Sequence, residues 1–151
     1  MSRRQTMPRQ WLIIHAPLGA ETWRSLSSLP RGSGVVVLGK LTSAEQPRLR
    51  RVAHQRALVT AAESTAQAAR VHSVRELRRA RLRGTPLILL SPLYATSSHP
   101  DWLPIPRMRA AALARLGGRR LVALGGMDAR RFRAVERLGF QAWAGISAFR
   151  I

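Results

Sequence analysis

Residues 86–100, PLILLSPLYATSSHP, carry the clearest structural signal in the chain. Four apolar residues, 87–90, run without interruption and stop at Ser91 and Pro92. A continuous apolar run bounded in this way is typical of a parallel strand that is covered on both faces. The loop that follows is dense in hydroxyl groups and carries one imidazole, His99. Because α/β proteins place their chemistry beyond the carboxyl ends of parallel strands, this loop is predicted to belong to a functional site.

The alternation of strand, loop, helix and glycine stop recurs along the whole chain and indicates βα units on a parallel sheet. Six or seven strands are predicted, at 11–14, 35–38, 57–61, 69–72, 87–90, 121–124 and 143–146. Capping boxes are predicted for two of the helices between them, at Ser43 with Gln46 and at Ser73 with Glu76. The helix before the sixth strand is predicted to bury one face formed by Met108, Ala112 and Leu116. A complete eightfold barrel typically needs more than about 200 residues, whereas this chain has 151. The predicted fold is therefore an α/β barrel of the TIM type, shortened, with its terminal helix missing. Residues 10–151 form the single predicted domain, after a disordered basic arm over 1–9.

Composition excludes several classes of protein. The chain has no cysteine, which excludes disulfides and thiolate metal sites and is compatible with the cytoplasm, the predicted location. No apolar run approaches the length of a membrane span, and no signal peptide is predicted. The net charge of +19 suggests nucleic acid. However, the cations are arginines spread along helix faces, with Lys40 the one lysine, which favours a solvated surface over nucleic-acid binding.

Three motifs resemble the thiamine phosphate synthase and TenI family. Residues 91–99, SPLYATSSH, are similar to the family's loop of the form SP-(hydrophobic)-(F/Y)-x-T-x-(S/T)-(K/H). Residues 121–128, LVALGGMD, and 142–148, AWAGISA, are similar to its last two strands and their phosphate-binding turns. The order and spacing of the three motifs make the resemblance fairly specific over residues 70–149.

A phosphate site is predicted at the turns after the last two strands. Gly125 and Gly126 stand between a strand and a helix N-cap at Asp128, where backbone N–H groups and the helix dipole favour an anion. Ile146 and Ser147 end the next strand, and turns at this place form the recurrent phosphate site of barrels. The alternative is a tight turn with no ligand. The resemblance implies that these amides hold a thiazole phosphate.

A simple mutational expectation follows from this prediction. Valine at Gly126 is expected to remove phosphate binding from a folded protein, whereas valine at Gly117, a predicted helix stop, should lower stability only.

The resemblance also implies roles for polar side chains at other strand ends. Thr96 and Ser98 match hydroxyls that contact the diphosphate-bearing ligand, and His99 stands where most family members have a diphosphate-binding lysine. Lys40 is the remaining residue of a diphosphate-binding run after the second strand. His72 matches the proposed general acid/base of TenI-type thiazole tautomerisation, a role that suits an imidazole. For each of these residues, an incidental place in a polar loop or on the surface is the alternative.

The family synthase binds Mg²⁺ through aspartates after its middle strands, and this chain has only Asp101 and Asp128. The resemblance therefore implies Mg²⁺, but no ligands for it are found.

The leading hypothesis is a divergent synthase that condenses hydroxymethylpyrimidine diphosphate with thiazole phosphate to thiamine phosphate and pyrophosphate. The alternatives are a tautomerase that uses His72 and a non-catalytic phosphate- or thiazole-binding barrel, so catalysis itself stays open. A homodimer could cover the apolar surface left by the missing helix.

Overall fold

A computed structural model describes residues 6–97 and 99–149, with the side chain of Ser147 left out. Its helices and strands follow the chain in the order β1 (Gln10–His15), α1 (Ala20–Ser28), β2 (Gly34–Leu38), α2 (Glu45–Arg56), β3 (Val59–Ala62), β4 (Ala68–Val71), α3 (Val74–Leu82), β5 (Leu87–Leu90), α4 (Arg107–Gly117), β6 (Leu121–Ala123), α5 (Ala129–Glu136) and β7 (Ala142–Gly145). None of the helices in this described part has the length and apolarity that a membrane span requires.

The seven strands are all parallel and lie in the order β3-β2-β1-β7-β6-β5-β4. The sheet curves into a nearly closed barrel with helices on its outside. The prediction of a shortened α/β barrel of the TIM type is therefore confirmed. After β7 the described chain forms a short 3₁₀ turn, Ser147–Phe149, and the Phe149 ring stacks on Trp143 at a centroid distance of 5.0 Å.

The barrel is open between β3 and β4, which are not hydrogen-bonded to each other. No α-helix joins them, and the connection is a 3₁₀ turn, Glu63–Thr65. The Gln67 backbone N–H donates to the Ala62 carbonyl at 3.0 Å, and the Ala62 N–H donates to the Gln67 side-chain oxygen at 3.0 Å. Strand β4 therefore begins beside the end of β3, and one complete βα unit is replaced by a turn.

The barrel interior is filled by alternate residues of the strands, as the pleat requires. Trp11 and Ile13 of β1 point inward with Val36 and Leu89, whereas the intervening residues pack against the helices. The Trp11 ring fills the space over Gly34, where a Cβ atom would lie 2.1 Å from the ring. A strand residue without a side chain is thus what lets the indole enter the core.

The helix caps confirm two sequence predictions and correct a third. Ser73 accepts from the Glu76 N–H at 3.2 Å at the start of α3, and Asp128 accepts from the Arg131 N–H at 2.7 Å at the start of α5. The predicted capping box of Ser43 and Gln46 is wrong by one residue. Threonine and glutamate one position earlier, Thr42 and Glu45, make the reciprocal pair of hydrogen bonds.

The Glu45 carboxylate also ties two loops together at the carboxyl ends of the strands. It accepts from the Thr42 N–H at 2.9 Å and from the Leu18 N–H at 2.7 Å, so that the loop after β1 is held against the loop after β2. These backbone hydrogen bonds, first that of Thr42 and then that of Leu18, lower the pKa of the Glu45 carboxyl. The tie is therefore present when the carboxyl is ionised and is lost as the pH falls through the folded pKa.

Packing corrects two further predictions, which concern the N-terminal arm and the buried face of α4. In the described residues 6–9, the predicted arm is part of the domain: Pro8 is buried, its carbonyl accepts from Trp11 Nε1 at 2.9 Å, and Arg9 pairs with Glu136 at 2.7 Å. The predicted apolar face of α4 is also wrong, because Met108 is 87% exposed. The helix packs instead through small residues and one leucine, Ala110, Leu113, Ala114 and Gly117.

Candidate functional site

A cleft of about 190 Å³ lies at the carboxyl ends of the strands. Most of the predicted site residues line it, namely His72, Thr96, His99, Gly125, Gly126 and Ile146. Apolar side chains from the barrel interior, Ile13, Leu38 and Leu124, form its floor. The strand ends therefore bring together residues that are far apart in the sequence.

Three predicted residues are not placed in the wall of this cleft. Lys40 is exposed after β2 and does not line the cleft. Ser147 follows the cleft residue Ile146 directly, but its side chain is not described. Ser98 lies outside the described residues.

His72 is held at the end of β4 by the first residue after β5. Its Nδ1 atom lies 3.0 Å from the Ser91 carbonyl oxygen and 3.1 Å from the Ser91 hydroxyl. Because a carbonyl oxygen can only accept, we assign the hydrogen to Nδ1, and in the neutral form of this tautomer Nε2 is an acceptor. No hydrogen bond to Nε2 is made by the residues that the structure describes. The imidazole is thus oriented through one nitrogen and can act on a ligand through the other.

Trp102 joins the two histidines of the cleft. Its ring stacks on His99 at a centroid distance of 3.9 Å and an angle of 9°, and it meets the His72 ring edge to face at 4.9 Å. The indole is 41% exposed. Trp102 is not among the predicted site residues, although a tryptophan in the polar segment after the central strand was an available signal. These rings give the cleft a flat aromatic wall that suits a planar ring of a ligand.

The glycine turn after β6 is shaped by the loop after β5. Gly125 and Gly126 have φ values of +100° and +59°, in the left-handed region that favours glycine. The Tyr94 N–H donates to the Gly125 carbonyl at 3.1 Å, and a Cβ atom at Gly126 would lie 2.6 Å from the Ala95 carbonyl oxygen. The two glycines are therefore needed for the close packing of two loops, whether or not the turn also holds a ligand.

The same turn has backbone donors that are not used within the described residues. The N–H groups of Gly126 and Met127 donate to no acceptor atom that the structure describes. The Arg131 guanidinium donates to the Gly126 carbonyl oxygen and lies 4.8 Å from the centroid of the Tyr94 ring. Free N–H groups before a helix, together with a nearby guanidinium, form a place where an anion can be held.

Arg70 contributes a guanidinium to the cleft wall and is not among the predicted site residues. It pairs in register with Leu89, a residue of the barrel interior, so its side chain starts inward. Its Nε and Nη2 atoms donate to the two carboxylate oxygens of Glu63 at 2.9 and 3.0 Å. The Arg70 side chain is 46% exposed, so the pair is accessible to water. The sequence did contain a signal for Arg70. It lies two residues before His72 in the predicted strand 69–72, and alternate residues of a strand share a face.

The carboxylates do not form a set that fits Mg²⁺, which prefers several oxygen ligands in octahedral geometry. Glu63 is paired with Arg70, and Asp128 caps α5. Among the described residues, no three His, Cys, Asp or Glu side chains are grouped closely enough to hold a metal ion. The Mg²⁺ that the resemblance implies therefore has no matching donors in this part of the chain.

No protein-family model and no curated protein matches the chain. Solved structures that are similar to it include two thiamine phosphate pyrophosphorylases. Thiamine phosphate pyrophosphorylase from Pyrococcus furiosus matches with a TM-score of 0.71 and 14% identity, over 95% of this chain and 88% of that one. Thiamine phosphate pyrophosphorylase from Bacteroides thetaiotaomicron matches with a TM-score of 0.58 and 13% identity, over 94% and 84%. This chain therefore has the fold of the thiamine phosphate pyrophosphorylases.

Proposed function

We propose that this barrel binds a phosphorylated thiazole in the cleft and that His72 moves a proton between two positions of the bound ring. The observation that carries the proposal is the fixed imidazole, with Nδ1 on the Ser91 carbonyl and Nε2 available at the cleft. General acid–base catalysis requires a proton acceptor that is held within reach of the substrate. The activity is thus a tautomerisation, as the TenI resemblance of His72 implies.

The proton transfer needs no co-reactant. Nε2 of neutral His72 accepts a proton from the thiazole ring, and the imidazolium keeps its Nδ1–H on the Ser91 carbonyl. Nε2 then returns the proton to a different atom of the ring, so that the two tautomers have the same composition and no electron leaves the ligand. A positioned acid–base residue typically contributes roughly 10²- to 10⁴-fold to such a rate.

The phosphate is assigned to the turn after β6 and to its neighbour after β7. The unused N–H groups of Gly126 and Met127 support this assignment, and Ile146 also lines the cleft beside them. Backbone amides before a helix bind phosphate without any charged side chain, because the helix dipole adds to their partial charge. The thiazole ring then extends along the wall of Trp102 toward His72.

The second candidate is the synthase reaction with a pyrimidine diphosphate, which the likeness of the fold to two pyrophosphorylases favours. Departure of diphosphate requires neutralisation of its charge, for which Mg²⁺ is the usual agent. The carboxylates of the described chain do not fit that ion. The geometry therefore supports the tautomerase better than the synthase.

One experiment separates these functions. The purified protein is incubated in EDTA with the thermodynamically unfavoured tautomer of the thiazole carboxylate phosphate, and isomerisation is followed by NMR. We expect catalytic turnover that EDTA does not lower. In a parallel reaction, both synthase substrates are supplied with Mg²⁺. Thiamine phosphate formation without isomerisation would support the synthase instead, and binding without either reaction would identify a binding protein.

A further inference from the structure

We infer that Arg70 recognises a carboxylate on the ligand and so sets the specificity of the cleft. The inference rests on the proposed function, because it concerns the same cleft and the end of the ligand that is remote from the phosphate. Arg70 lies on β4 and His72 directly follows that strand, whereas the glycine turn follows β6. A ligand that spans the cleft therefore meets backbone amides at one end and a guanidinium at the other.

The donors of Arg70 are divided between two edges of the guanidinium. Glu63 occupies the edge formed by Nε and Nη2, at 2.9 and 3.0 Å. A guanidinium has five N–H groups, so the fork formed by Nη1 and Nη2 still offers two parallel donors. In the described residues no acceptor is bound to Nη1. The free fork has the spacing that binds a carboxylate in a bidentate manner.

The Arg70 guanidinium lies between two cavities. Glu63 and Arg70 both line a cavity of about 510 Å³ beside the opening between β3 and β4. Arg70 also lines the cleft, and Glu63 does not. Glu63 therefore holds Arg70 from the side of the opening. A salt bridge that orients the guanidinium lowers the entropy that is lost when a ligand binds.

The charge of the pair favours a carboxylate over a second phosphate group. Glu63 already neutralises the single positive charge of Arg70, so the pair has no net charge. A planar group with one negative charge matches the remaining fork, whereas a diphosphate would bring several charges to a site where the described residues hold no metal-binding cluster. We therefore assign the fork to a carboxylate.

The experiment compares two ligands that differ in one group. Calorimetry measures the affinity of the thiazole carboxylate phosphate and of the same thiazole phosphate without the carboxylate. We expect the wild type to prefer the first by at least about tenfold, as a charge-assisted hydrogen-bonded pair supplies. Arg70→Gln should lose this preference without weakening the second ligand more than about twofold. Arg70→Lys keeps the charge but not the fork, and it should also lose most of the preference.

The control is Arg75→Gln, which removes an equal charge from an exposed position of α3 and should keep the preference. If the wild type binds both ligands equally, or Arg70→Gln retains the preference, the inference is overturned while the proposed function stands. If the wild type binds neither ligand, the proposed function fails, and the inference is then tested by calorimetry with oxalate as the carboxylate ligand. Oxalate binding that is lost in Arg70→Gln but kept in Arg75→Gln supports it, and any other oxalate result overturns it.

Discussion

The His72→Gln protein is expected to lose at least about 100-fold in tautomerase turnover. Glutamine keeps a polar side chain of similar reach, and its amide can still donate to the Ser91 carbonyl, but it cannot accept and return a proton. The affinity for thiazole phosphate should change by less than about threefold, because the phosphate is assigned to the turns after β6 and β7. Turnover is measured by NMR, affinity by calorimetry and the melting temperature by circular dichroism.

His54→Gln is the matched control, since His54 is an exposed histidine of α2 that does not line the cleft. This variant should keep full activity. A His72→Gln protein that loses stability in step with activity would show that the imidazole serves the fold. Full activity in His72→Gln would remove the proposed catalytic role altogether.

Alanine at Gly126 is expected to destabilise the protein by roughly 2–4 kcal/mol. The Cβ atom would lie 2.6 Å from the Ala95 carbonyl oxygen, and a backbone oxygen in a packed loop cannot move away cheaply. Gly84, which follows the C-cap of α3, provides the control. Its φ of +70° is close to the +59° of Gly126, but nothing lies within 4 Å of its Cβ position. Gly84→Ala should cost about 1 kcal/mol, for the left-handed backbone conformation alone.

Urea denaturation of the two alanine variants measures the difference in the free energy of unfolding. Equal losses of stability would contradict the packing of the loop after β5 on the glycine turn.

The structure also alters the expected effect of the valine substitutions that were predicted from the sequence. Gly126→Val would damage the fold as well as the anion site. Gly117 is not the conformational stop either, because the residue with a positive φ after α4 is Gly118, and a Cβ atom at Gly117 would meet Leu121 at 2.8 Å.

Local patterns in the sequence were enough to predict the strands and two of the helix caps. The apolar run 87–90 forms β5, and the motif of Ser73 and Glu76 forms the cap of α3. Such signals are local, because a buried strand or a cap depends on neighbouring residues. The face of α4 was predicted wrongly, since Met108 suggested an apolar stripe. The helix in fact packs through alanines that periodicity alone does not distinguish from surface residues.

The parts of the site that the sequence did not reveal depend on contacts between distant segments. Arg70 resembles the many surface arginines until the register of β4 with β5 places it at an interior position. Trp102 belongs to the site because the loop after β5 folds back over His72. Neither contact is determined by residues that are adjacent in the chain.

The most direct test of the central claim is an amide NMR titration of the isotope-labelled protein with thiazole phosphate and, separately, with the thiazole alcohol that lacks the phosphate. The claim is that the cleft holds a phosphate on the backbone amides of the turns after β6 and β7. We expect the signals of Gly126, Met127 and Ile146 to shift with the phosphate and to stay unchanged with the alcohol. Equal shifts with both compounds, or shifts confined to the arginines of α2, α3 and α5, would contradict the account.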